Sequence, residues 1–147
     1  MPADDRQKEI IEETGVKAQL EMACEDLWWS SESDYPVEVV WQPDVEMHNE
    51  TISEMMDTWI GEHHLEDKIE KIELNNFFER AIAPRSWHTN EDKVQLRRLQ
   101  QLKDLLMAEL SELQVYRCGE VEVIAYVLGY YLEGGVLSGV RTTIIET

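Results

Sequence analysis

One segment constrains the fold more than any other: a leucine-rich stretch with helical spacing that is followed directly by β-rich segments. Its leucines recur three and four residues apart and predict one apolar helix face over 89–113. They are Leu99, Leu102, Leu106, Leu110 and Leu113. Thr89 or Asn90 suits the N-cap, and Glu91 and Asp92 would lie in the first turn, where the helix dipole favours acids.

The chain after this helix is rich in β-branched and aromatic residues. Three segments, 115–118, 121–130 and 136–145, favour strands, and Gly119 and Gly134-Gly135 separate them. Consecutive strands joined by short glycine turns predict antiparallel pairing.

The first half of the chain alternates between the two kinds of pattern. We expect helices over 4–29 and 49–61, strands over 37–41 and 68–74, and a short helix from Asn75 to just before Pro84. Helices on either side of one sheet are the simplest way to bury these apolar faces. The fold class predicted from the residues is therefore α/β (α+β), as one domain of 147 residues.

Charge narrows the range of partners. The formal net charge is -18, from 31 acidic and 13 basic residues. Nucleic-acid binding is disfavoured, because phosphate contacts need clustered Lys and Arg. A basic partner is favoured, although acidity of this kind also simply keeps proteins soluble.

Features that report on cellular location are few. We find no pattern of a signal peptide at the start and no apolar run near the ~20 residues of a membrane span. The two cysteines, Cys24 and Cys118, do not form a disulfide framework and are expected to be buried free thiols. We therefore expect a cytoplasmic protein.

Motifs typical of enzymes are scarce. There is no phosphate loop, no nucleophile elbow and no Cys-x-x-Cys pair. Glu120 and Glu122 are spaced to share one strand face, which would suit acid/base chemistry, but a solvated strand face explains them better. The sequence thus predicts a protein that is not an enzyme and has no cofactor of its own.

Three features are unusual on structural grounds. Residues 30–34, Ser-Ser-Glu-Ser-Asp, predict a polar loop with two acids among hydroxyls. Trp87 lies in a loop after Pro84, where it either packs on the core or serves as an exposed binding anchor. The sequence stops at Glu146-Thr147 directly after a strand, where hydroxyl and carboxylate oxygens suit a hard cation.

At these residues the chain resembles the nuclease A inhibitor family. The resemblance begins with Ser31-Glu32-Ser33-Asp34-Tyr35-Pro36 and the following Val37-Glu38-Val39. It resumes at Asn76-Phe77-Phe78-Glu79-Arg80-Ala81 and includes Pro84 and Trp87. It is densest at Gln114-Val115-Tyr116-Arg117 and Gly119-Glu120-Val121-Glu122, and continues through Tyr126-Val127, Gly129, Gly139 and Thr143 to Glu146-Thr147. Residues 44–70 match poorly.

The resemblance implies a three-layer α/β/α sandwich with a largely antiparallel central sheet. It also implies a flexible N-terminal extension over 1–12 and a single inhibitor-like domain over 13–147. The resemblance further implies an inhibitor that binds a Mg²⁺-dependent, sugar-non-specific DNA/RNA endonuclease one to one and occludes its active site. We expect a monomer when the protein is free, and no contact with nucleic acid or membrane.

The resemblance also assigns partner-binding residues. Glu32, with Ser33 and Asp34, would form the acidic loop on the basic groove of the nuclease, and Trp87 would be the aromatic anchor. Thr147, preceded by Glu146, would reach the partner's Mg²⁺ and supply an oxygen ligand. Two other readings stay open: an acidic binding domain of the same fold with a different protein or small-molecule partner and no inhibitory role, and an enzyme that uses Glu120 and Glu122.

Overall fold

The computed structural model describes residues 5–30, 34–43, 58, 60–61, 69–82, 89–131 and 136–145. Three helices lie in these ranges: α1 (Asp5–Cys24), α2 (Leu74–Ile82) and α3 (Asn90–Glu109). The strands are β1 (Trp28–Ser30), β2 (Asp34–Pro36), β3 (Glu38–Pro43), β4 (Ile69–Ile72), β5 (Ser111–Cys118), β6 (Glu122–Tyr131) and β7 (Val136–Ile145). No helix in the described ranges is long and apolar enough to cross a membrane.

Five strands form one sheet in the order β3-β7-β6-β5-β4, and every neighbouring pair is antiparallel. A second, two-stranded sheet pairs β1 with β2. The predicted mixed α/β class and the antiparallel sheet are thus confirmed. Strand β7 lies between β3 and β6, so the last described strand joins the first part of the chain to the rest of the sheet.

Helix α3 begins as its sequence predicts. The Thr89 hydroxyl accepts from the Asp92 backbone N–H at 3.1 Å, and the Asp92 carboxylate accepts from the Thr89 N–H at 2.9 Å. This reciprocal capping box satisfies two backbone donors that the helix itself leaves unpaired. The predicted C-terminus of the helix was wrong, because Leu110 has extended backbone angles and Leu113 lies in β5.

One face of the large sheet packs against all three helices. This helix-facing core combines Val16 and Leu20 of α1, Phe77 and Phe78 of α2, and the α3 leucines at positions 99, 102 and 106 with β-strand side chains. Those strand side chains include Val115, Val123, Ala125, Val127, Val140 and Ile144. Since α1, α2 and α3 all contribute to this cluster, these three helices lie on the same face of the sheet.

The opposite face of the sheet has its own buried cluster, in which tyrosines are prominent. It contains Val40, Tyr116, Cys118, Tyr126, Leu128, Tyr130 and Leu137 together with Ile60. Ile60 is fully buried and helical, and it comes from the segment expected to form a helix over 49–61. Most of that segment lies outside the described residues, so the third layer of the expected sandwich stays a prediction.

Strand β7 requires glycine at one point. Gly139 pairs with Val40 on one side and Leu128 on the other, and its φ is +148°. A β-carbon there would overlap the Val127 carbonyl oxygen. Glycine therefore lets β7 pack tightly between its two neighbours.

The N-terminal region differs from its prediction in two places. Helix α1 ends at Cys24 rather than near 29, and Asp26 takes a left-handed conformation with φ of 51°. Trp28 and Trp29 consequently belong to β1, and Ser30 pairs with Asp34 at the ends of β1 and β2. The expected boundary between extension and domain falls inside α1 and stays a prediction.

Candidate functional site

The structure describes one of the six residues predicted to contact a partner. Asp34 opens β2 and is exposed. Glu32 and Ser33, in 31–33, and Trp87, in 83–88, lie outside the described residues. Glu146 and Thr147, which follow β7, lie outside them too. The described flanks of these segments therefore carry the structural information about the site.

Two of those flanks meet at one corner of the sheet. Only Val37 separates β2 from β3, and β3 runs antiparallel to β7, so the chain from Glu38 back through β2 follows the second half of β7. The Thr142 hydroxyl donates to the Pro36 carbonyl at 3.0 Å and ties the two segments together. We call this region the β2–β7 corner, formed by Tyr35, Pro36, Glu38, Tyr126, Arg141, Thr142 and Thr143.

The third segment, residues 83–88, follows helix α2, and this helix packs against the hairpin formed by β1 and β2. Trp29 of β1 stacks on Phe77 at 4.4 Å between ring centroids and meets Phe78 edge-on at 5.6 Å. Both phenylalanines belong to α2, whose end at Ile82 precedes the segment with Trp87. Aromatic packing thus connects the β1–β2 hairpin to the helix that leads to residues 83–88.

An arginine lies at the centre of the β2–β7 corner. Arg141 is in register with Glu38 on β3 and with Tyr126 on β6. Its Nε and Nη2 atoms both donate to Glu38 Oε2, at 3.3 and 3.1 Å. Burial by itself would lower the pKa of the guanidinium, but hydrogen bonds to Glu38 and Tyr126 and the nearby carboxylate charge raise that pKa above its usual value. Arg141 is therefore a permanent cation.

A cavity of about 260 Å³ opens beside this arginine. Tyr35, Glu38, Ile124, Tyr126, Arg141 and Thr143 are among its lining residues. Tyr126 is almost fully buried, whereas the Arg141 and Glu38 side chains are 47% and 55% exposed. The cavity is thus open to solvent and combines a cation, a carboxylate and hydroxyl groups on an aromatic base.

Sequence reasoning missed this cluster for a physical reason. Glu38 and Arg141 are 103 residues apart, and only the pairing register of β3 with β7 brings them together. One signal was present in the sequence, because Arg141 is the only basic residue after Arg117.

The acidic pair considered for acid/base chemistry does not form as expected. Strand β6 begins at Glu122, and Glu120 lies in the bend that precedes it. Because Glu120 is outside the strand, the two residues do not share a strand face, and both are exposed to solvent. Among the residues that the structure describes, no group of three His, Cys, Asp or Glu side chains is placed to hold a metal ion.

The fold and this corner are those of a small acidic α/β protein without a metal cluster among its described residues, and its open charged surface suits binding to another protein. The chain belongs to the nuclease A inhibitor-like protein family, whose sequence model matches residues 14–147. A comparison with curated proteins found no match to this chain. Family membership implies a general role as a nuclease inhibitor and favours a protein that is not an enzyme.

Proposed function

We propose that this protein binds a Mg²⁺-dependent, non-specific DNA/RNA endonuclease one to one and occludes its active site. The family match over 14–147 is the observation that carries the proposal. The net charge of -18 supports it, because a nuclease that accepts any sequence must present a basic surface to phosphates. An acidic protein competes for the same positive charges.

Three contacts make up the proposed mechanism. Glu32, Ser33 and Asp34 face the basic substrate groove, and Trp87 is buried against the nuclease as the main apolar anchor. Glu146 and Thr147 enter the active site, where Thr147 donates an oxygen ligand to the partner's Mg²⁺. The inhibitor itself needs no cofactor. The acidic loop precedes β2 and the terminal residues follow β7. Because a hydrogen bond joins β2 to β7, these two proposed contacts start from neighbouring strands.

The proposed location is the cytoplasm. Cys24 and Cys118 are both buried and free, as is usual where thiols stay reduced. A cytoplasmic inhibitor would protect the cell's own nucleic acids from nuclease that has not left it.

The direct test is an inhibition assay with a purified metal-dependent, non-specific nuclease encoded by the same genome. We expect the protein to block DNA cleavage at a one-to-one ratio, and deletion of Thr147 to weaken the block. Failure to inhibit any such nuclease would contradict the proposal and favour an acidic binding domain with another partner. Equal inhibition by the deletion variant would contradict only the contact with the metal.

A matched pair of variants separates local contact from overall charge. Glu32→Lys and Glu70→Lys make the same charge change, but Glu70 lies on β4, at the opposite edge of the sheet from β3. We expect Glu32→Lys to slow association about tenfold at low salt, with a much smaller effect of Glu70→Lys. Equal slowing would mean that net charge alone attracts the nuclease.

A further inference from the structure

The cation at the β2–β7 corner conflicts with a purely electrostatic account of binding. If the protein only presented negative charge to a basic groove, a positive side chain between two contact segments would weaken the attraction. Arg141 nevertheless lies next to the described flanks of those segments, β2 and the end of β7, and lines the cavity. Its presence therefore needs either a structural or a recognition role.

A structural role explains little, because the ion pair of Arg141 adds little to the free energy of unfolding. The ion pair between Arg141 and Glu38 is about half exposed on both sides, at 47% and 55%. Exposed pairs of this kind contribute roughly 0–1 kcal/mol to stability. Strands β3 and β7 are in any case joined by a continuous backbone ladder from Glu38 to Pro43.

The hydrogen bonds of the guanidinium leave room for another acceptor. Nε and Nη2 both donate to one oxygen of Glu38, and Tyr126 is a further partner. A guanidinium carries five N–H donors in a fixed planar fork, which is more than its partners among the described residues use. Carboxylates match that fork best, because their two oxygens accept parallel hydrogen bonds.

We propose that Arg141 receives a carboxylate side chain, Asp or Glu, of the inhibited nuclease in the cavity of the β2–β7 corner. The inference rests on the proposed function and makes Arg141 a specificity-determining residue. A cavity of about 260 Å³ accommodates one such side chain, and Thr143 and Tyr126 are among the residues that line it. Glu38 is half exposed, so it can yield its place on the guanidinium when the partner's carboxylate enters.

The gain from this contact is in selectivity. Any basic surface attracts an acidic protein, whereas a carboxylate at one position in a basic groove matches Arg141 in a single docking register. Nucleases that lack this acid would still attract the inhibitor, but they would bury guanidinium N–H donors of Arg141 that neither Glu38 nor the nuclease accepts from. The cost of burying those donors without an acceptor discriminates between partners.

The test compares three variants against the nuclease that the wild-type protein inhibits. Arg141→Gln and Arg97→Gln each remove one positive charge from an exposed side chain, but Arg97 lies on α3, outside the β2–β7 corner. Glu38→Gln breaks the same ion pair as Arg141→Gln and leaves the guanidinium free. We expect Arg141→Gln to raise the inhibition constant at least about tenfold, mainly through faster dissociation. Arg97→Gln should leave inhibition unchanged or slightly stronger, and Glu38→Gln should inhibit at least as well as wild type.

Two results would overturn the inference while leaving the proposed function intact. One is equal inhibition by Arg141→Gln and Arg97→Gln, and the other is equal weakening by Arg141→Gln and Glu38→Gln. Arg141→Lys keeps the charge without the fork, and it should lie between wild type and Arg141→Gln. It also provides the measurement if Arg141→Gln fails to fold. A wild-type protein that inhibits no nuclease would overturn the proposed function and this inference together.

Discussion

Two arginines of this protein form hydrogen bonds with very different kinds of partner. Arg98 of α3 donates to backbone carbonyls at the end of α1, namely those of Ala23 and Asp26 at 3.2 Å and also those of Met22 and Glu25. Arg141 of β7 donates to one side-chain carboxylate and a phenol, beside an open cavity. The first guanidinium completes a helix terminus, whereas the second is accessible from solvent.

The two arginines differ in whether another group can take the place of their hydrogen-bond acceptors. The carbonyls at the end of α1 have no intrahelical donor, so Arg98 fulfils a need that the helix creates. Gln95 assists by donating to the Asp26 carbonyl at 3.0 Å and accepting from the Trp28 N–H at 3.3 Å. At the β2–β7 corner, a carboxylate from another protein can take the place of Glu38. Similar chemistry thus serves folding at one site and binding at the other.

The largest effect of a substitution on stability at neutral pH is expected from Arg98→Met. Loss of the charged donor removes the side-chain partner of the Ala23 and Glu25 carbonyls, whereas the Asp26 carbonyl keeps Gln95 and the Met22 carbonyl keeps the Glu25 N–H. We expect the free energy of unfolding to fall by about 2 kcal/mol. Urea denaturation followed by circular dichroism measures the change. Arg97→Met, one position away and exposed, is the control and should change stability by less than about 0.5 kcal/mol. Similar losses in both variants would show that Arg98 adds nothing beyond a surface charge.

The second prediction concerns the thiol beside Arg98. Burial raises the pKa of Cys24 from 9.0 to about 12, and the positive charge of Arg98 opposes that rise. The folded state therefore disfavours the thiolate, and stability is lost as pH rises from about 9 towards 12, by up to about 1.4 kcal/mol per pH unit. Urea denaturation at several alkaline pH values should show a steeper loss for wild type than for Cys24→Ala. Parallel curves would exclude the thiol as the cause.

A smaller loss is expected when the hydroxyl that joins β2 to β7 is removed. Thr142→Val keeps the shape of the side chain but deletes the hydrogen bond to Pro36, at a cost of about 1 kcal/mol. Thr143→Val, on the opposite face of β7, is the matched control for stability alone, because Thr143 lines the cavity proposed to bind the nuclease. We also expect Thr142→Val to weaken nuclease inhibition modestly, because β2 leads into the acidic loop. Unchanged stability would indicate that water replaces the lost donor.

The smallest effects on stability are expected at Arg141 itself. Arg141→Gln and Glu38→Gln should each lower the free energy of unfolding by less than about 1 kcal/mol, since their ion pair is half exposed. Thermal unfolding measures both variants under the same conditions. A loss as large as that of Arg98→Met would remove the distinction between the two arginines and make Arg141 a structural residue.

Elements whose defining residues are close together in the chain were predicted from the sequence. Helix α3 and its cap were predicted because Thr89 and Asp92 lie within one turn of each other. The strands β5, β6 and β7 were predicted because each carries its own β-rich pattern. Strands β1 and β2 have three residues each, too few for any periodicity, and only their mutual pairing defines them.

The candidate site likewise could be predicted only where its residues are close together in the chain or match a family pattern. The family resemblance assigned Glu32, Trp87 and Thr147, and these stay predictions because they lie outside the described residues. The cluster of Glu38, Tyr126 and Arg141 could not be found without the register of β3, β6 and β7. Residue types alone do not indicate which strand pairs with which, so long-range side-chain clusters of this kind require a structure.

The position of β7 between β3 and β6 also bears on how the protein is made. A ribosome would release α1, β1, β2 and β3 long before β7 exists, and Ser138 and Val40, which share a hydrogen bond, are 98 residues apart. Contacts of such long range slow folding. Strand β3 must therefore wait for β7, and a nascent chain cannot present the β2–β7 corner until synthesis has passed β7. Within this fold, binding competence arrives in one late step, so a partly synthesised chain would not compete with the finished inhibitor for its target.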